Sequence, residues 1–414
     1  MQGILIFIVV FGVLVFVHEF GHFVMAKRAG VLVREFSIGM GPKLVQTRRG
    51  ETTYTIRWLP LGGYVRLAGS DDSAEIEPGT NVVLALNQAN KVVRIDASEA
   101  DLPIEGVPVQ VEKADLVDDL TISGRENGLT EKTYQVDPQA TLIDKDHNEL
   151  IIAPRSRQFE QATTWQKLGT NVAGPLLNVL LGFVVFMIWT FVAVGPSTTT
   201  IGSVQAGMPA QKAGLQAGER IVDINQQKVT SFDQIGQKLA AGKKTAVTVQ
   251  KGARRRTVTL QPKKVKQGGQ TVYQIGIMAK PDNSLGAKAK RGWQTSVQTT
   301  GMIFAAVGDL FRNFSLNKLS GPVGIYSATA RVSRYGLQAV LAFTAMISIN
   351  LGIVNLIPIP GLDGGKLLLN IIELLRGKPI KPEHETIIDL IGVAFLLLLI
   401  IAVTGNDIYR YFIK

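Results

Sequence analysis

The chain has 414 residues, 44 Lys and Arg against 33 Asp and Glu, a net charge of +11, 46% apolar residues and only 19% charged ones. That balance excludes a disordered polyelectrolyte, and the length admits several domains or a membrane core with appendages. No cysteine is present, so disulfide scaffolds, Cys-ligated zinc and thiol nucleophiles are excluded, and any metal falls to His, Asp or Glu. Residues 3–25 form an almost unbroken apolar run, about the 20 residues that a helix needs to cross a bilayer. A positive n-region and a small-residue cleavage site are missing, so the run reads as a retained span within residues 1–38 rather than a signal peptide. Further apolar runs cover Leu176 to Val194, about Leu337 to Ile359, and Ile387 to Val403. Four spans are the economical count, with 161–196, 337–366 and 367–414 holding the second to fourth.

Lys27, Arg28, Arg34 and Lys43 follow the first span, and Lys366, Arg376, Lys378 and Lys381 lie between the third and fourth. The positive-inside rule assigns both stretches to the cytoplasm and both termini to the outside. Residues 39–70 read as a hairpin, with strands near 52–59 and 60–67, abutting or dipping into the cytoplasmic side of the membrane; a surface hairpin reads equally well. Residues 71–160 look like a cytoplasmic β-rich insert, and 71–150 carry 18 acidic and 6 basic residues. Residues 197–290 reverse that, with 16 basic and 4 acidic. This outer charge suits an anionic lipid or cell-surface polymer, or is a plain solvated face. Residues 284–336 read as an amphipathic connector.

The chemistry lies in His18-Glu19-Phe20-Gly21-His22. Four residues apart on a helix, the two imidazoles share a face and suit one Zn²⁺, and Glu19 can act as general base on a water. His18 lies 14 residues past Ile4, about 21 Å of rise, within the bilayer. Ionisable groups at that depth cost about 2–3 kcal/mol each and call for partners or a function. A third ligand is needed, with Asp363, Glu373, Glu385 and Asp389 as candidates. Asp363 is favoured because Pro358 and Pro360 break the third span before it, and Gly361, Gly364 and Gly365 free the backbone to aim a carboxylate inward. Asn350 and Asn355 can hold an extended peptide or a reacting carbonyl, or serve as interhelical glue; both readings stand. His147, between acidic neighbours, reads as a solvated loop, and His384 as interfacial.

Together these residues resemble the site-2 protease family of intramembrane zinc metalloproteases. The likeness rests on His18 to His22 in the first span and Asn355 to Gly364 in the third, with Gly174-Pro175, Asn178 and Gly321 to Ile325 as further matches. The resemblance implies a polytopic α-helical membrane protein of four transmembrane helices, a membrane-associated β element, a cytoplasmic insert and an extracytoplasmic PDZ-like domain at 197–283. It implies His18, His22 and Asp363 as zinc ligands and Glu19 as the base. It also implies substrate contacts at Asn350, Asn355, Pro358 and Pro360. A single PDZ-like domain resembles the Gram-positive branch, whose substrates are single-span proteins such as anti-sigma factors or signal-peptide remnants in regulated intramembrane proteolysis, at the plasma membrane. The turn and strand from Ala213 to Asn225 carry the PDZ likeness, with Ile201 and Gly202 where peptide capture would begin. The competing class is a metal-binding membrane scaffold or transporter with a PDZ adaptor; neither reading involves nucleic acid.

Overall fold

The computed structural model describes residues 2–69, 76–98, 106–127, 129–145, 149–239, 243–267 and 270–410. His147 lies outside them. The chain divides into two compact units, one of residues 1–182 with 300–414, the other of residues 183–299.

In the first unit, helix α1 (Gln2–Arg28) leads into two long strands, β1 (Val33–Arg49) and β2 (Thr52–Leu67). They form a ribbon that doubles over. Residues 33–38 pair antiparallel with 63–67 and residues 43–49 with 52–57, while residues 35–38 also pair with 53–56, both numbers rising together. The register breaks between Ile38 and Val45, where Gly39 and Gly41 take φ of +87° and +84°, values open to glycine. Four segments therefore lie side by side, in the order 63–67, 33–38, 53–57, 43–49, with 63–67 outermost among the described residues. At the far end Met40, Leu44, Val45, Ile56, Trp58 and Leu59 are exposed, an apolar tip with Arg57 and Lys43 beside it.

The acidic segment folds as β3 (Asn81–Leu86), β4 (Val92–Asp96), β5 (Val107–Asp115), β6 (Thr121–Glu126), β7 (Thr130–Ile143) and β8 (Glu149–Ile151). The first five close on themselves through a parallel β4–β7 pairing, which removes the open edges, and β8 adds to β7. Leu84, Ile95, Ile122 and Ile152 are buried in its core.

Helix α2 (Thr164–Val192) runs on into the second unit. There β9 (Ser197–Val204), the short α3 (Pro209–Lys212), β10 (Arg220–Ile224), β11 (Gln227–Lys228), α4 (Phe232–Lys238), β12 (Thr245–Lys251) and β13 (Arg254–Leu260) follow. A hairpin of β14 (Lys263–Gln267) and β15 (Gln270–Gln274) precedes β16 (Ile277–Pro281). The sheet order is β13-β12-β10-β9-β16 with β11 on β10. Ile201 is 1% exposed, in the core with Ile221, Ile224 and Val247. Gly202 lies against Ala279, because β16 pairs along β9. The strand expected to open a peptide-binding edge at Ile201 and Gly202 is therefore covered on both sides, by β10 and β16.

Helix α5 (Leu285–Arg312) returns to the first unit, where α6 (Pro322–Val332), α7 (Leu337–Asn355), α8 (Asp363–Arg376) and α9 (Pro382–Ile408) complete the chain. Among the described residues four helices, over Gly3–Arg28, Thr164–Val192, Leu337–Asn355 and Glu383–Ile408, are long and apolar enough to cross a membrane. Their outer faces carry exposed Leu5, Phe16, Leu180, Leu398 and Ile401, a surface that water would not tolerate and lipid does. The chain is a membrane protein.

Candidate metal centre

Helix geometry puts His18 and His22 on one face of α1, with their Nε2 atoms 3.3 Å apart. Asp363 stands in the first turn of α8, and its Oδ2 lies 3.1 Å from His18 Nε2 and 3.4 Å from His22 Nε2. The loop before α8 explains the placement. Gly361 has φ +87°, and any Cβ on Gly365 would sit 2.5 Å from the Ile359 carbonyl, so the Pro358–Pro360 loop folds back tightly over the helix start. Glycine is required at Gly361 by conformation and at Gly364 and Gly365 by contact.

The tautomers follow from the neighbours. His22 Nδ1 lies 2.8 Å from the Thr170 carbonyl, which can only accept, so Nδ1 carries the proton and Nε2 a lone pair. Pro175 in the same stretch of α2 lacks the N–H that would bond the Asn171 carbonyl, which loosens the ladder where α2 meets α1. His18 Nδ1 faces the side-chain amide of the fully buried Asn178 at 3.2 Å, and the Asn178 main-chain carbonyl accepts from Ser348 Oγ at 2.6 Å. A carboxylate oxygen therefore points, without a hydrogen-bond donor of its own, at an imidazole lone pair. Such an arrangement repels itself unless a cation lies between. A tetrahedral ion held at about 2.0–2.1 Å spaces its ligands by about 3.3 Å, which the three separations match. His18, His22 and Asp363 also make up the group of metal-competent side chains that lie together among the described residues. The donor set fits zinc.

Glu19, 8% exposed, sits beside the pair on α1. The ribbon reaches it: a Cβ on Gly63 would lie 2.9 Å from Glu19 Cγ and 2.7 Å from the Ser37 carbonyl. Gly63, at the start of the segment 63–67, thus packs on the Glu19 side chain. On the other side α1 and α2 touch backbone to backbone, since a Cβ on Gly21 would meet the Ala173 carbonyl at 2.6 Å. A Cβ on Gly174 would fall on the His22 ring.

The other expected residues are distributed as follows. Asn350 is on the exposed face of α7; Asn355 is half-buried at its C-terminal end, Pro358 exposed and Pro360 half-buried in the loop. Glu373 pairs with Lys167 at 3.5 Å and accepts from the Ile380 N–H at 2.9 Å, away from the triad; Glu385 and Asp389 are half-buried on α9, and His384 is exposed. Sequence reasoning missed Thr170 and Gly63. Nothing in a carbonyl or a hairpin glycine signals a neighbour 148 or 44 positions away; only Gly174-Pro175 and Asn178 carried a hint.

The chain matches the description "Peptidase family M50" over residues 6–399. It is 44% identical over full length to a protein of Enterococcus faecalis named "Probable protease eep", each chain covered completely. Two proteins named "Putative zinc metalloprotease", from Streptococcus pyogenes and Lactococcus lactis, are 45% and 42% identical, again with complete coverage of both chains. With His18 and His22 on an apolar helix meeting Asp363 at the start of α8, and zinc metalloproteases as full-length relatives, the chain belongs to peptidase family M50, the site-2 type of zinc metalloprotease.

Proposed function

We propose that this protein hydrolyses peptide bonds within the membrane spans of single-span proteins, with His18, His22 and Asp363 holding zinc. The observation that carries the reading is the convergence of His18 Nε2, His22 Nε2 and Asp363 Oδ2 within 3.1–3.4 Å of one another, on a helix long and apolar enough to cross a membrane and beside the Glu19 carboxylate. Zinc supplies Lewis acidity, polarising the scissile carbonyl and making water a better nucleophile at neutral pH. Glu19 accepts the proton of the attacking water and returns it to the leaving nitrogen. Thr170 fixes the His22 tautomer. A half-turn of the Asn178 amide brings its Oδ1, otherwise buried without a partner, to His18 Nδ1–H and leaves His18 Nε2 as a ligand.

A helical span hides its amides, so a substrate must unwind before attack. The outermost segment of the ribbon, 63–67, offers backbone groups to the unwound substrate beside Glu19, which compensates the exposed peptide groups where cutting occurs. Asn355, Pro358 and Pro360, at the end of α7 and in the loop before Asp363, contact the substrate in this reading, and Asn350 adds a polar face on α7. Substrates are anti-sigma factors or signal-peptide remnants, and the protein works in regulated intramembrane proteolysis at the plasma membrane with both termini outside. Residues 197–283 act as an extracytoplasmic PDZ-like accessory domain and the acidic barrel as a cytoplasmic one. Zinc content and cleavage of a model single-span substrate in detergent, for wild type and Glu19→Gln, test the reading. Zinc in both with cutting by wild type alone is expected; equal cutting by both, or none by either across several substrates, overturns it in favour of a scaffold or transporter.

A further inference from the structure

One guanidinium ties the doubled ribbon together. Arg57 Nε donates to Ser37 Oγ at 3.0 Å, and one terminal nitrogen donates to the Gly41 carbonyl at 2.9 Å. The other donates to Tyr64 Oη at 2.6 Å and to Glu35 at 3.3 Å. Tyr64 Oη donates onward to the second Glu35 oxygen at 2.8 Å, and Thr55 Oγ1 to the first at 2.6 Å. The residues come from three of the four segments and from the crossover at Gly41. Burial pushes the Glu35 carboxyl up, but bonds from Thr55, Tyr64 and Arg57 outweigh it and hold it below the usual carboxylate range.

A two-stranded ribbon is already paired by its backbone ladder and needs no such network. Arg57 and Glu35 are 18% and 13% exposed, so the pair is largely desolvated and adds little net stability. What it adds is geometry. Ser37 pairs with Tyr64 and Thr55, and Ile38 with Gly63 and Ile56, at the point where the ladder is most irregular. Tyr64 adjoins Gly63, the residue packed on Glu19. A slip of one residue along this edge would turn every side chain to the other face and move a different peptide group opposite Glu19.

We propose that the Arg57–Glu35–Tyr64 network is a positioning device that fixes the register of residues 63–67 against Glu19 and so selects the peptide bond that is cut. The inference rests on the protease reading. Its test uses the full-length protein in detergent, with cleavage products of a single-span substrate mapped by mass spectrometry alongside kcat, KM, zinc content and thermal midpoint. Tyr64→Phe and Arg57→Lys should keep zinc and midpoint, lower kcat/KM by about 10- to 100-fold, and spread cutting onto neighbouring bonds. An unchanged site and rate in both variants would overturn the proposal, as would activity lost together with zinc or midpoint, which marks a purely structural role. Wild type and Glu19→Gln run in parallel; if they cut alike, the protease reading fails and the register proposal falls with it.

Discussion

Gly174→Ala puts one methyl group where α2 passes the proposed metal ligands. Its Cβ would lie 2.7 and 2.8 Å from the Cε1 and Cδ2 atoms of His22 and closer still to Nε2. Carbon atoms at rest stand about 3.5–4.0 Å apart, so the imidazole must give by about 0.7–1.3 Å. Zinc ligands keep their distances within about 0.2 Å, so the ring cannot both clear the methyl and hold the ion. The helices cannot part instead without breaking a contact of Gly21 against the Ala173 carbonyl and a 2.6 Å bond from Ser348 to Asn178. Overpacking of this kind costs about 1–3 kcal/mol, and disturbed zinc sites lose about 10- to 100-fold in affinity. Zinc retained per polypeptide against a graded chelator should fall by that factor, while the midpoint of the metal-free protein moves far less than that of the loaded one. Wild-type metal retention in the variant would refute the argument, and an equal fall in both midpoints would assign the effect to helix packing alone.

Asp407, fully buried near the end of α9, accepts from the Gly321 and Gly324 N–H groups at 2.8 and 2.9 Å and so caps the start of α6. Asp407→Ala should lower stability by about 2–4 kcal/mol in a detergent melt, and Asp407→Asn, which keeps an acceptor, by less than half of that; equal losses would refute the capping role. The Glu51 carboxyl is held below its usual range, chiefly by the 2.7 Å bonds from both Arg157 nitrogens, against a smaller opposing effect of burial. Its contribution, about 1 kcal/mol after allowance for partial exposure, is complete above the ordinary carboxylate pKa of about 4.3 and is lost as pH falls through the lower folded value. Wild type should therefore lose midpoint more steeply than Glu51→Gln on acidification below about pH 4; parallel slopes would refute it. For sidedness, a cysteine at the exposed Gln227 should react with an impermeant reagent in intact cells and one at Leu129, 90% exposed, should not; the reverse would overturn the proposed topology.

The four long apolar helices were legible because a bilayer demands one long apolar run per crossing, and the meeting of His18 with His22 because both follow the helical repeat within one segment. The approach of Asp363 to both imidazoles was legible for a different reason, a broken span followed by glycines. The long-range parts were not. The doubling of the ribbon depends on residues 35–38 meeting 53–56 as well as 63–67, and a hairpin pattern predicts only one of these pairings. The closure of the acidic barrel through β4 and β7 leaves no periodic trace, because closure concerns which strand lies beside which. Ile201 and Gly202 misled for the same reason: their local pattern suits an exposed edge, and β16, some 75 residues later, takes that edge.

The centre shares a physical logic with the glycines around it. His18, Glu19 and His22 bring polar atoms into an apolar helix, and their partners come from α2, α8 and the ribbon, three elements far apart in sequence. Lipid gives no hydrophobic drive to press helices together, so close approach has to come from small residues. Gly21, Gly63, Gly174 and Gly352 each stand where a Cβ would meet a neighbouring backbone or a functional side chain at 2.9 Å or less. Gly352 holds α7 against the Pro175 carbonyl, which braces the stretch of α2 that carries Thr170 and Asn178. The ligand geometry is therefore set by main chains in contact, which cannot repack as side chains do. Added methyl groups at these four positions should be far more damaging than large changes on the lipid-facing side of α9, although every one of these glycines looks neutral in a hydropathy plot.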